Sequence, residues 1–327
     1  MDGIEKKSIR YLKNNFVVIL LIALIIAFSL TTRGFASMAN VFNLLRQTSI
    51  TGIASFGMAI VIISGGIDLS MGSCVSVITV ITAIMVSQMG IHPVLACAIG
   101  VLFGVGIGLI NGVLITATGM PPFICTLAAQ QILNGVSYTI TGGLPIYGLP
   151  AGLKQLGQGY LGPIPIPVLI MLFIFSIAIL LMSKTYIGRY FYAVGSNADA
   201  SRLSGVNVKK IRILAYMTSG FFVGISAIVM MCRITSGQPN AGTGLEMDAI
   251  TACVVGGVSL NGGHGKMGTV ILGVLIMGVI SNGLGIMGVS TYNQYIAKGL
   301  LLLAVVGLDS FRSSGSGKRA PRAGKAA

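Results

Sequence analysis

From Phe16 onward the chain alternates long apolar runs with short polar interruptions. A helix crossing a bilayer needs about 20 predominantly apolar residues. Runs of that order fall at Phe16–Thr31, Gln47–Ser64, Ser70–Gln88, Pro93–Thr118, Pro122–Ile140, Ile166–Met182, Ile211–Cys232, Met247–Leu260, Gly268–Ile286 and Tyr292–Leu308. The pattern predicts ten helical spans, the eighth of them short. Two longer interruptions stand out. Thr141–Pro165 is rich in Gly and Pro and predicts an irregular cap. Lys184–Arg212 is the one long hydrophilic stretch within the apolar region. Its middle, Asn197 to Gly205, predicts a short helix with both ends specified. Asn197 caps the first turn, Asp199 complements its positive end, and Gly205 takes the left-handed stop. Two turns are unstable alone in water, so this helix implies something to pack against.

Composition turns the pattern into a class. Hydrophobic residues make up 54%, charged residues 9%, and mean hydropathy is +0.92. A soluble domain of this length needs far more charge to cover its surface. The expectation is an all-α, polytopic membrane protein with a cytoplasmic tail over 1–15, a membrane domain over 16–308 and a second cytoplasmic tail over 309–327. The tail from Ser313 is Gly/Ser/Lys/Arg/Ala-rich and is expected to be disordered. Phe16–Thr31 follows four bases like a signal peptide, but TTRGFASMAN is a poor cleavage site, so a retained span is expected. The net charge of +14 does not point to nucleic acid, because the bases flank apolar runs. With both termini inside, sixteen of the 21 bases fall on the cytoplasmic side; Arg33, Arg46, Lys154 and Arg233 fall outside, and Lys298 lies in the last span. The five cysteines lie inside apolar runs without CxxC spacing, which reads as packing rather than a disulfide or metal framework.

Few residues offer chemistry. Asp68 is the only acid between Glu5 and Asp199, set in Ser64-Gly-Gly-Ile-Asp-Leu-Ser70. Glycines beside a polar pair predict a helix break whose freed backbone groups need partners. Asp68 then reads either as a gate or pathway element, or as the cap of the next helix. Asn111, Gln130, Gln131, Asn134 and Asn282 are neutral amides within spans, serving as interhelical glue or as the lining of a polar path. Gln238, Asn240 and Glu246 border the external segment after the seventh span, where an outside partner would meet them; Glu246 and Asp248 also flank the start of the eighth helix, placed to cap it. Ser64–Leu69 echoes Val255–Leu260, and Ile110-Asn-Gly112 echoes Ser281-Asn-Gly283, at offsets of 191 and 171 residues. An internal repeat is one reading, chance in a Gly-rich chain the other. His92 and His264 have no metal-ligand partner at helical spacing, and no HExxH or GxSxG occurs. Gly262–Lys266 and Gly315–Lys318 do not complete a phosphate-binding loop, since Met267 and Arg319 stand where Ser or Thr is required.

The central loop carries a resemblance. Asp199-Ala-Ser-Arg-Leu-Ser-Gly205 is similar to the acidic-Ala-small-x-x-x-Gly loop of ABC importer permeases. Gly188–Asn197 through Arg202–Asn207, Ser64–Ser70, Pro122–Leu127, Gln238–Gly244, and Gly256–Leu260 with Gly262-Gly263 resemble the ribose/xylose/galactose-type sugar permeases, in order from about Asn40 to Leu308. The resemblance implies a permease dimer, or a pair with a homologous permease, in the bacterial cytoplasmic membrane. It also implies a cytoplasmic ABC ATPase that binds the ATP and Mg, and an extracytoplasmic sugar-binding protein. The chain itself is then not an enzyme and holds no cofactor. The loop 184–212 carries the coupling helix, with Asn197, Asp199, Ala200, Arg202, Leu203, Ser204 and Gly205 as the docking residues. The opposing reading is a proton-coupled secondary transporter using Asp68.

Overall fold

A computed structural model describes the backbone of residues 16–316 and the side chains of residues 17–307. The tail expected at 1–15 and the last eleven residues of the expected C-terminal tail lie outside the described residues. Thirteen helices are present among the described residues: α1 Phe16–Thr31, α2 Met38–Ile63, α3 Met71–Ser87, α4 Pro93–Thr118, α5 Pro122–Thr141, α6 Ala151–Gln158, α7 Ile166–Lys184, α8 Tyr186–Ser196, α9 Ala198–Leu203, α10 Val208–Ile234, α11 Leu245–Val255, α12 Met267–Ile286 and α13 Thr291–Ser316. A two-residue hairpin, β1 Tyr160–Leu161 and β2 Ile164–Pro165, pairs antiparallel before α7.

Helices stand at all ten apolar runs. Five of them, α2, α4, α7, α10 and α12, are long and apolar enough to cross a membrane. By contrast α11 has 11 residues, about 16 Å of helix, which falls well short of a bilayer core. Helix α13 runs on to Ser316, past the expected end at Leu308. Helix α2 begins at Met38 rather than at Gln47. Its polar first turns are helical because each side chain finds a partner: Asn40 exchanges two amide hydrogen bonds with Asn282 at 2.8 and 3.0 Å, Asn43 accepts from Arg233, and the Arg46 guanidinium stacks 4.5 Å from the Tyr160 ring. Ser37 caps this end by accepting from the Asn40 N–H.

Helix α2 is the centre of the bundle. From Thr48 to Ile63 nearly every residue is buried, so it is covered all round rather than on one stripe. Helices α4 and α10 form the closest pair. Gly104, Gly108 and Gly112 of α4 lie four residues apart, and a Cβ at any of them would strike the backbone of α10 at Gly220, Tyr216 or Ile213. Gly220 and Gly224 return the contact against Gly104 and Val101. Small residues at this spacing let two backbones touch, which is how helices gain packing energy in lipid. The outward faces are apolar: Leu102, Ile110, Ile132 and Phe173 are all more than half exposed, a surface that suits lipid rather than water. Helix α13 is held to α11 by one ion pair, Lys298 Nζ to Asp248 Oδ2 at 2.7 Å, largely shielded from solvent.

Candidate functional site

The first helix break follows α2. At Ser64 the chain leaves the helix through three hydrogen bonds: Ser64 N–H to Ile60 O, Gly65 N–H to Ile62 O and Gly66 N–H to Val61 O. Gly65 has φ +85°, the left-handed geometry that closes such an end. The segment up to Ser70 then has to satisfy its backbone without a helix. The Ile67 carbonyl accepts from the Tyr216 hydroxyl of α10 and from the Thr126 hydroxyl of α5, both at 3.2 Å, and Thr126 accepts from the Leu69 N–H at 3.1 Å. Asp68 is 4% exposed. Its Oδ1 accepts from the Ser70 N–H at 3.1 Å and the Ser70 hydroxyl at 2.6 Å, and Asn111 donates its amide to that hydroxyl at 2.9 Å. The carboxylate thus closes the turn into α3, and Asn111 ties the turn to α4.

The second break, between α11 and α12, repeats the stop. Gly256, Gly257 and Val258 donate to Ala252, Val254 and Cys253 in the same pattern, and Gly257 also has φ +85°. The equivalent positions are Gly65 and Gly257, an offset of 192, so the sequence echo is displaced by one residue. Helix α9 ends with the same three bonds, Ser204 to Ala200, Gly205 to Arg202 and Val206 to Ser201, with Gly205 at φ +84°. Helix α12 ends likewise, Met287, Gly288 and Val289 donating to Gly283, Gly285 and Leu284 with Gly288 at φ +75°. A stop used at four places reflects a common way of ending a helix and is no signature of duplication. Nor do the two Asn-Gly pairs correspond: Asn111 serves the first break, whereas Asn282 pairs with Asn40.

The hydrophilic loop is more helical than its sequence suggested. Thr185 caps α8, and after Asn197 the chain turns into α9, with Asn197 Oδ1 accepting from the Ala200 N–H at 2.9 Å. Asp199 and Arg202 pair at 3.0 Å on the solvent side. Ala200, Ser204 and Gly205 are exposed, and Leu203 is 87% exposed. A cavity of about 710 Å³ lies beside α9, lined among others by Asp199, Arg202, Val206, Lys209, Arg212 and Ile115 of α4.

The loop touches both breaks. A Cβ on Gly195, at the end of α8, would strike the Ile63 carbonyl of the first break and the Gly263 N–H of the second. Gly263 itself donates to Ile63 O at 2.8 Å. Ser196 Oγ lies 3.4 Å from Gly263 O, and the Tyr192 hydroxyl donates to Gly265 O at 2.9 Å. Burial raises the Tyr192 phenol above its ordinary pKa.

After α10 the chain does something the sequence did not announce. Thr235 adopts φ +55°, an uncommon geometry for a non-Gly residue, and turns the chain back along α3. Gly237 packs on Thr79 and Ala83 and pairs with Ile146, and Gln238 O accepts from Thr79. Pro239 O accepts from Ser137, Gly242 N–H donates to Ser76 Oγ, and Gly242 rests on Gly72. From Ala83 to Gly72 is about 16 Å along α3. Irregular backbone at such depth persists only inside protein, with its polar groups satisfied. The expectation that Gln238, Asn240 and Glu246 face an outside partner is therefore corrected in part. Asn240 is exposed, Gln238 is half-buried, and Glu246 is 7% exposed and turned inward. Glu246 Oε1 accepts from Gln130 at 3.3 Å, while Oε2 packs against Gly72 without a hydrogen-bond partner. Asn134, also half-buried, contributes its backbone carbonyl to Ser137. Among the described residues no cluster of His, Cys, Asp or Glu is placed to hold a metal.

The comparisons with known proteins bear on this arrangement. Residues 40–306 match the family described as branched-chain amino acid transport system / permease component. The ribose import permease protein RbsC of Bacillus subtilis (strain 168) is 40% identical over 296 residues, covering 90% of this chain and 92% of that protein. The galactose/methyl galactoside import permease protein MglC of Escherichia coli (strain K12) is 36% identical over 337 residues, covering 95% and 98%. The xylose transport system permease protein XylH of Haemophilus influenzae is 32% identical, covering 90% and 96%. No solved structure matches the chain. With the matched region taking in both breaks and the loop between them, the chain belongs to this permease family, alongside import permeases for ribose, galactose and xylose.

Proposed function

We propose that the chain is the membrane subunit of an ATP-binding-cassette importer that moves a monosaccharide or related polyol into the cytoplasm. In this reading the ten apolar helices form the membrane domain with both termini inside. A second permease copy or a homologous permease completes the passage, an extracytoplasmic binding protein delivers the solute, and a separate ATPase supplies the work. The observation that carries it is α9: a two-turn helix capped at both ends and presenting exposed Leu203, following directly on the end of α8, whose Gly195 touches both helix breaks. A helix too short to persist alone is held here by its caps and by α8, which leaves its outer face free for a cytoplasmic ATPase.

ATP binding closes the ATPase pair, and α9 carries that motion to the broken helices. Asp68, Asn111, Gln130, Asn134 and Asn282 are the candidate pathway groups, of which Asp68 and Asn111 close the first break and Gln130 meets Glu246. Asp68 serves here as a structural acceptor. Asn240 remains the candidate contact for the binding protein. The test is reconstitution of the chain with its ATPase and binding protein. ATP-dependent sugar uptake is expected, and Gly205→Val, which forces a β-branched residue into φ +84°, is expected to retain membrane insertion and ATP hydrolysis but lose uptake. Uptake that ignores ATP and follows a proton gradient overturns the proposal.

A further inference from the structure

The coupling loop enters the bundle at one residue. Gly195 has no side chain, and the space a Cβ would need is already taken by the Ile63 carbonyl of the first break and the Gly263 N–H of the second. These two groups are hydrogen-bonded to each other at 2.8 Å, so three chain segments meet backbone to backbone at Gly195. Gly65 lies on the other side of the same contact, and a Cβ on Gly262 would come within 3.0 Å of both the Gly195 carbonyl and the Gly65 Cα. Two residues beyond Gly195, Asn197 caps α9. A second tie runs in parallel, from the Tyr192 hydroxyl to Gly265 O, one turn back on α8.

Close-packed backbone contacts pass a displacement on without the slack of flexible side chains, because the packed interior is dense and repacks between discrete arrangements. A push on α9 therefore reaches α8 and, through Gly195, both breaks together. The first break then reaches α4, α5 and α10 through Asn111, Thr126 and Tyr216.

We propose that Gly195 is the positioning residue through which motion of α9 is delivered to both broken helices at once, with Tyr192 as its parallel tie. This rests on the importer reading above and adds to it the point of transmission. The experiment measures uptake per ATP hydrolysed in proteoliposomes holding the permease, its ATPase and its binding protein. It compares wild type with Gly195→Ala, Tyr192→Phe and, as a control, Gly106→Ala, where a Cβ meets nothing within 4 Å. The expected result is retained co-purification with the ATPase and retained ATP hydrolysis. Uptake per ATP should fall about tenfold in Gly195→Ala and about threefold in Tyr192→Phe, as for a lost coupling energy, and stay unchanged in Gly106→Ala. Gly195→Ala that assembles and keeps wild-type uptake per ATP overturns the proposal. Should Gly195→Ala fail to assemble, Tyr192→Phe decides: reduced uptake per ATP supports the transmission point, and a wild-type ratio overturns it. Wild-type protein that shows no ATP-driven uptake would instead strike the importer reading itself.

Discussion

At Ser64 and at Gly256 the chain leaves a helix through the same three hydrogen bonds, and the segments that follow are closed by different chemistry. After the first stop, side chains from α4, α5 and α10 converge, and a buried carboxylate with a serine hydroxyl makes the turn into α3. After the second, the backbone closes on itself, Ser259 donating to His264 O and Gly262 to Ser259 O, with Asn261 and Lys266 exposed. One break is thus specified by side chains that converge on it; the other is a glycine-rich turn closed through its backbone, on itself and against Ile63 and α8. The same stop serves both because a left-handed Gly ends a helix regardless of what comes next.

The comparison is broken most severely at the two left-handed glycines. Valine at either position costs about 1–2 kcal/mol of backbone strain. At Gly257 the new side chain meets open space, whereas at Gly65 a Cβ lies 3.6 Å from Gly195 Cα and a larger side chain reaches further. Gly65→Val is expected to abolish uptake, while Gly257→Val lowers the melting temperature and keeps transport; equal behaviour in the two would dissolve the distinction. A smaller effect tests the carboxylate. Asp68→Ala strands the Ser70 N–H and hydroxyl in a buried site, worth about 1–3 kcal/mol. Asp68→Asn keeps an acceptor in place and should retain most transport. Matched loss of uptake in both, at equal expression, would show that the charge itself matters. The smallest effect belongs to the second break, where Ser259→Ala should change thermal stability by less than about 0.5 kcal/mol. A large loss there would mean that the turn is specified by side chains after all.

The legible parts of this molecule are those set by local chemistry. Asn197 and Gly205 bound α9 because a cap acceptor and a left-handed glycine act within one turn, and the apolar runs mark helices because length and composition alone decide them. What escaped is nonlocal. The polar start of α2 is helical only because Asn282, Arg233 and Tyr160 come from elsewhere to meet it. The chain from Thr235 to Gly244 reads as an external loop, and only the hydroxyls of Ser76, Thr79 and Ser137 make its burial tolerable. Gly195 sits in a basic loop rich in small residues, and nothing near it in sequence reports that Ile63 and Gly263 arrive from both sides.

The ion pair between Lys298 and Asp248 bears on how the chain enters the bilayer. A lysine in an apolar helix carries a penalty in lipid that is largest at the helix centre and smaller toward its ends. Lys298 stands seven residues into α13, ahead of Leu301, Leu302, Val305 and Val306, which pack on the core. Its partner lies in α11, made some fifty residues earlier during synthesis. Among the described residues each charge therefore has its one ion-pair partner on the other helix, so removing either side chain leaves the other uncompensated at a largely shielded site.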